Sequence, residues 1–441
     1  MRAPAHTYEE LLGATMAQAL AVSALTPASP DLVTVRSALS GRPLPPLAVC
    51  SAADARAAVA RGREVSGSWL RAGAPARLRV IAGLRDEIRA HRADLTRLLR
   101  HGAGFGPADA VEECQDGERL LRHAARGGGL ASRRWPRSPY ASEQTGARAA
   151  TVSYGDDARP LASLCEGALP ALLRGGAVVT EVSARTAPVA LAVTAMARRA
   201  GLPDGVWQVA VRGEAPGAMS GSGLRAVLAE HADAVAPLCC PPDPAGPWRV
   251  RSRPPGLFVL RHDGSARAAA RAAVRACFAR AGRGCAATPH VAVHASRAEE
   301  FLHRFSREAA ASTCMTTLPD EQHLALLSEW FDACLAAGAR SLLPRPRPPE
   351  HRSVAAPPVP APVLLRDGAG LSDPRPEIPQ GPVALVTAFT HWAEVLDHAR
   401  RSGHHLCVFT RTPLRYLSPQ FGDLPARRIH LNQAPRAGLL P

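Results

Sequence analysis

Pro160-Leu-Ala-Ser-Leu-Cys-Glu-Gly-Ala-Leu-Pro-Ala-Leu-Leu-Arg-Gly-Gly-Ala-Val-Val, residues 160 to 179, is the stretch on which the fold turns. It sits within 149–210, where short apolar runs alternate with helical segments, and that alternation predicts parallel strands joined by crossover helices. Next, Ser183-Ala-Arg-Thr-Ala-Pro is predicted to open a helix on a serine cap, and Ala200-Gly-Leu-Pro-Asp-Gly-Val-Trp-Gln-Val to supply a turn and a strand. Upstream, over 51–126, Leu78, Ile81, Leu84, Ile88, Leu95, Leu98 and Leu99 recur at threes and fours, the mark of successive amphipathic helices. Residues 1–50 read as an entry strand over 32–39 between turn-rich segments, and the Gly- and Arg-rich interval from Arg126 to Arg148 breaks the helical pattern.

Composition sets limits on the function. The chain has 441 residues and 46% hydrophobic content, enough for a large core and two or three domains. It contains no run of eighteen apolar residues, and its first ten residues lack the pattern of a signal peptide, so the expectation is a cytoplasmic protein with no membrane segment. Ten cysteines without a regular framework predict reduced thiols and no structural zinc, and the vicinal pair Cys239 and Cys240 is expected to be packing. The net charge of +15 comes from a chain with no Lys, its Arg residues spread through Ala-rich segments with only 4% aromatics, which argues against a specific nucleic-acid surface.

Residues 275 to 285, Arg-Ala-Cys-Phe-Ala-Arg-Ala-Gly-Arg-Gly-Cys, precede a strand-like segment at 290–294, and this arrangement resembles the nucleophile segment of the aldehyde dehydrogenase superfamily. Together with residues 160–209, with Trp69 followed by Ala76-Arg77-Leu78, and with Gly381-Pro382-Val383, the resemblance runs from about residue 30 to 433 and is nearest in look to bacterial succinate-semialdehyde dehydrogenases. It implies an α/β fold: a Rossmann-like cofactor-binding domain over 1–253 with an oligomerisation arm at 127–149, an α/β catalytic domain over 254–433, and a tail at 434–441 that lacks the family's closing C-terminal arm.

For the chemistry, the resemblance implies Cys285 as the nucleophile that attacks an aldehyde carbon, with NAD or NADP taking the hydride. It puts Glu181, Ser183 and Glu377 at the cofactor. Glu181 stands where the family has a lysine, which favours NAD over a ribose phosphate. Ala158 stands where the family's asparagine donates to the oxyanion, and Val250 where its general base lies; His262 and Asp263 are the nearest alternative bases. Cys239-Cys-Pro-Pro replaces the glycine turn that packs on the cofactor. Two functions follow: an NAD(P)-dependent oxidoreductase of small aldehydes or semialdehydes, active as a homo-oligomer, or an inactive homologue acting as a binding or partner protein. A cysteine acyltransferase or esterase is a third.

Overall fold

The computed structural model describes residues 5–11, 31–126, 149–213, 221–236, 256–284, 286–311, 316–318, 321–343, 363–367, 371, 378–401, 405–424 and 428–434. The chain divides into two compact units, one built on the described residues up to Ala236, the other on those from Gly256 onward.

In the first unit, β1 (Leu32–Val33) pairs antiparallel with β2 (Leu47–Ala48). The entry strand expected over 32–39 is therefore two residues long where it is paired. Four helices follow, Ala52–Arg71, Gly73–Ala90, Arg92–His101 and Pro107–Ala125. The first opens on a capping box: Ser51 Oγ accepts from the Asp54 amide at 3.2 Å while the Ser51 amide donates to Asp54 at 2.9 Å. The periodic residues of the sequence, Ile81, Leu84, Ile88, Leu95, Leu98 and Leu99, are all buried, each contributing about 1.5–3 kcal/mol of transfer free energy.

These helices enclose a parallel sheet of β3 (Ala150–Tyr154), β4 (Ala177–Val182), β5 (Trp207–Val211) and β6 (Ala234–Val235), in the order β5-β4-β3-β6. The expected alternation over 149–210 is thus realised, with β3 as the strand from which the order runs both ways. The crossover helix Pro160–Arg174 is buried along its length except at Arg174, so both of its ends require partners from elsewhere in the fold. At the start, Glu113 accepts from the Leu161 and Ala162 amides at 2.9 and 2.8 Å. At the end, Trp69 Nε1 donates to the Leu172 carbonyl and Arg77 Nε to that of Leu173, both at 2.9 Å. An anion at the amino end and a cation at the carboxyl end both favour the helix dipole. Gly175 then turns the chain at φ 91°, with Leu70 so close that a Cβ would lie 2.7 Å from its Cδ1.

One local expectation shifts. The helix after β4 is Ala187–Arg199 with Thr186 at its N-cap, because the Ser183 hydroxyl is bonded to Asp157 and Thr186 and not to the amides of a first turn. A further helix runs from Gly221 to His231.

Among the described residues, the second unit holds seven strands: β7 (Leu257–Leu260), β8 (His290–His294), β9 (Arg340–Ser341), β10 (Val363–Asp367), β11 (Val383–Phe389), β12 (His405–Phe409) and β13 (Arg428–Leu431). They run β13-β12-β7-β8-β11-β10-β9, parallel throughout except for β9 against β10. Helices Ala266–Phe278 and Ala298–Ala311 pack on one face, where Phe278 stacks on Phe305 with centroids 5.8 Å apart. Helix Trp392–Arg401 contributes Val395 and Ala399 to a separate cluster with Leu257, Val259, Leu406 and Val408.

Candidate functional site

In a parallel sheet of this kind, ligands bind outside the carboxyl ends of the strands, at the point where the strand order reverses. For the first unit that is the end of β3, where the chain runs Gly155-Asp-Asp-Ala-Arg into the helix Pro160–Arg174. The turn is tightly held. Asp156 accepts from the Ala158 amide and the Ser163 hydroxyl from the Asp156 amide, each at 2.9 Å. Arg159 reaches both oxygens of Glu166, at 3.0 and 2.8 Å, with both side chains 2% exposed. Ala158, expected from the resemblance to stand where an asparagine donates, is buried, and its side chain has no hydrogen-bond donor. The guanidinium next to it is directed at Glu166 through both Nη1 and Nη2.

At the ends of β4 and β5 the two cofactor candidates of this unit, Glu181 and Ser183, lie in one polar network. Glu181 is 0% exposed. One of its oxygens accepts from Arg212 Nη1 at 2.9 Å, the other from Arg225 Nε and Nη2 at 3.0 and 2.9 Å. Arg212 follows β5, and its Nη2 also donates to Asp157 at 3.3 Å. Asp157 in turn accepts from the Ser183 hydroxyl at 2.6 Å. Arg225, from the helix Gly221–His231, lies over the Tyr154 ring at 5.0 Å; burial pulls its guanidinium below the ordinary value, against the pull of Glu181. A strand-end carboxylate that serves a dinucleotide must present an oxygen to ribose hydroxyls. Glu181 presents none, so the residues here do not fit a ribose at this carboxylate. Sequence reading found Glu181 but not its partners, which lie 31 and 44 positions away.

In the second unit, Cys285 and Glu377 lie outside the described residues, as do Cys239 to Pro242, Val250 and, except for Ala149, the arm expected at 127–149. The approach to Cys285 is described and is strained. Arg280, Ala281 and Gly282 all have left-handed backbone, at φ 53°, 54° and 65°, a conformation that costs ordinary residues about 1 kcal/mol or more each. What holds it is contact: a Cβ on Gly282 would lie 1.8 Å from the Gly381 carbonyl oxygen, so this turn rests directly on the Gly381-Pro382 backbone ahead of β11.

The alternative bases behave differently from a poised carboxylate or imidazole. Asp263 accepts from the Thr410 and Thr412 hydroxyls and the Arg411 and Thr412 amides at 2.8–3.0 Å. Burial pushes its carboxyl up, but these hydrogen bonds outweigh it and hold it below its usual value. It anchors the loop after β12. His262 packs edge-on against His294 at 5.4 Å. Cys50, Cys114, Cys165, Cys277, Cys334 and Cys407 are all buried. Burial pushes the thiols of Cys50 and Cys114 up to about 12 and those of Cys165, Cys277 and Cys407 higher still, which leaves these five poor nucleophiles.

The model of the aldehyde dehydrogenase family matches residues 26–232 and 257–419. Among curated relatives, 3,6-anhydro-alpha-L-galactose dehydrogenase of Streptomyces coelicolor is 29% identical over 415 residues, covering 86% of this chain and 80% of that protein. A putative succinate-semialdehyde dehydrogenase [NADP(+)] of Mycobacterium ulcerans is 26% identical, over 70% of this chain and 63% of its own length. Among solved structures, an NAD-dependent aldehyde dehydrogenase from Sinorhizobium meliloti superposes with a TM-score of 0.74 at 21% identity, covering 94% of this chain and 86% of that one, a likeness of fold. No helix among the described residues is long and apolar enough to cross a membrane.

Proposed function

Because the chain belongs to the aldehyde dehydrogenase family, we propose that it is an NAD(P)-dependent oxidoreductase of a small aldehyde or semialdehyde, working through Cys285 with slow turnover. The observation that carries this reading is the family match across both units, including the segment with Cys285 and the strained turn before it. The Cys285 thiolate adds to the carbonyl carbon, and the carbonyl oxygen becomes an oxyanion. The nicotinamide, when bound, supplies the hydride acceptor. Water then releases the acid from the thioester on Cys285.

Two substitutions slow this sequence. With Ala158 in place of an amide donor, the oxyanion keeps only backbone N–H groups, and loss of one donor costs about 100- to 1,000-fold in turnover. Val250 cannot activate the hydrolytic water. The names of the matched relatives point to small oxygenated aldehydes as the substrate class. NAD is the favoured cofactor here, since Glu181 neutralises Arg212 and Arg225. The setting we propose is a cytoplasmic homo-oligomer.

A second reading, an inactive homologue that binds a partner, is favoured by the enclosure of Glu181 and by Ala158. The test is a panel of aldehydes with NAD or NADP, following reduced nicotinamide in the parent and in Cys285→Ala. Cysteine-dependent reduction supports the oxidoreductase. No reduction, together with no heat on titration with NAD, supports the inactive homologue.

A further inference from the structure

Two histidines fasten the edge of the sheet in the second unit. Among the described strands β13 is the outermost on its side and pairs with β12 alone. Cys407 of β12 is the register partner of His430 of β13, so His430 shares a face with Cys407 and, two residues earlier on β12, with His405. His405 Nδ1 lies 3.2 Å from His430 Nε2, the rings are 14° from parallel, and the two residues are 5% and 7% exposed. A gap of that size between ring nitrogens holds one hydrogen: one imidazole donates and the other accepts. The contact survives a first added proton, which goes to the far nitrogen of the donating ring. With both rings protonated, two N–H groups and two positive charges meet head-on, and the bond is lost. The limit is set by the space between these two nitrogens, whatever else the His430 ring meets.

The surroundings supply no counter-charge. Arg428 is the register partner of His405 and lies on the same face. The helix Ala266–Phe278, which brings Cys277 against Cys407 in one apolar cluster, carries Arg267, Arg271 and Arg275. Burial keeps the Cys277 and Cys407 thiols protonated, and they donate to the carbonyls of Thr288 at 3.2 Å and Gln433 at 2.8 Å. No carboxylate occurs in β7, β12, β13 or this helix. The start of β12 is also packed, through Gly256, on the chain that follows Cys285: a Cβ on Gly256 would lie 3.2 Å from the His405 oxygen, 2.9 Å from the Ala287 oxygen and 2.6 Å from Thr288 Cγ2.

We propose that His405 and His430 form an acid-sensitive latch: one shared hydrogen ties β13 to β12 at neutral pH, and a second proton releases β13 and loosens Ala287 and Thr288, two and three residues after Cys285. The closed latch excludes a proton that the open strand takes up. It is therefore fully closed above the ordinary imidazole value of about 6.5 and opens as pH falls below it, the open population rising about tenfold per pH unit for one proton. Its bearing on turnover rests on the reading of Cys285 as the nucleophile; the latch itself does not.

The test is amide hydrogen exchange of the full chain, read by mass spectrometry from about pH 8 to about pH 5, with each rate divided by that of the unfolded chain at the same pH. In the parent, protection of β13 is expected to fall about tenfold per pH unit below about 6.5, more steeply than that of β11, and protection of Ala287 and Thr288 to fall with it. In His405→Phe and in His430→Phe the slope of β13 is expected to drop to that of β11. Should neither variant fold, the parent decides alone: a steeper fall in β13 than in β11 supports the latch, and equal slopes overturn it. An undiminished slope in either folded variant also overturns it. Exchange is read without turnover, so a chain that opens as expected but oxidises no aldehyde counts against the proposed activity alone, and an active chain with equal slopes counts against the latch alone.

Discussion

Gly282→Ala probes the left-handed turn three residues before Cys285 in the sequence. At this glycine the backbone is left-handed at φ 65°, and a Cβ would lie 1.8 Å from the Gly381 oxygen, 2.4 Å from its carbon and 2.9 Å from the Cys277 oxygen. Relief requires the two segments to part by about 1.5 Å to reach ordinary contact. The left-handed alanine costs about 1 kcal/mol and the overpacking about 1–3 kcal/mol, for a loss of about 2–4 kcal/mol. In a unit of this size each kcal/mol lowers the melting temperature by about 2–4 °C, so a fall of about 4–16 °C is expected. Because the turn leads into Cys285 three residues later, a shift of about 1 Å is also expected to lower aldehyde turnover by about 100-fold. Thermal unfolding and steady-state rates read the two effects. Gly284→Ala is the control: nothing lies within 4 Å of its Cβ position and its backbone is not left-handed, so it should change stability by no more than about 0.5 kcal/mol. If Gly282→Ala matches Gly284→Ala in both assays, the reasoning is wrong.

Glu113→Gln weakens the charged acceptor at the amino end of the helix Pro160–Arg174 and should cost about 1–3 kcal/mol in urea unfolding; an unchanged midpoint would show that the carboxylate charge is idle there. Burial pulls the His398 imidazole below 6.5, aided by Arg401 and opposed by its bond to the Leu371 carbonyl. The unfolded chain then takes up the proton first, so stability is full above pH 6.5 and declines as pH falls toward the folded value. His398→Gln should flatten that slope as pH falls through and below 6.5. Native protein at about pH 8 should leave Cys50 and Cys114 unlabelled by a water-soluble disulfide reagent, with labelling appearing only on denaturation; peptide mapping of labelled native protein checks this.

The parts of the fold that were legible in the sequence are those set by local pattern. The 3.6-residue spacing from Ile81 to Leu99 produced buried helix faces. Trp69 and Arg77 were visible as markers, but their task, meeting the last carbonyls of a buried helix, is a tertiary arrangement about a hundred residues removed in sequence. Ser183 illustrates the limit of capping rules: a carboxylate at Asp157 competes for its hydroxyl and moves the helix start to Thr186. Glu181 looked like a lone repelling charge because the arginines that neutralise it come from another strand and another helix. Left-handed torsions at Arg280 and Ala281 leave no signature in those residue types; only the neighbouring Gly282 hints at them.

Rapid mixing of the parent with an aldehyde and excess NAD or NADP, followed by acid quench and intact-peptide mass, addresses the central claim most directly. With Val250 in place of a base, release of the acid should lag behind its formation, so the account predicts a burst of reduced nicotinamide of about one equivalent per chain and an acyl adduct on the peptide bearing Cys285. Reduced nicotinamide produced at the same rate by Cys285→Ala, or turnover with the acyl group on a different residue, would contradict it.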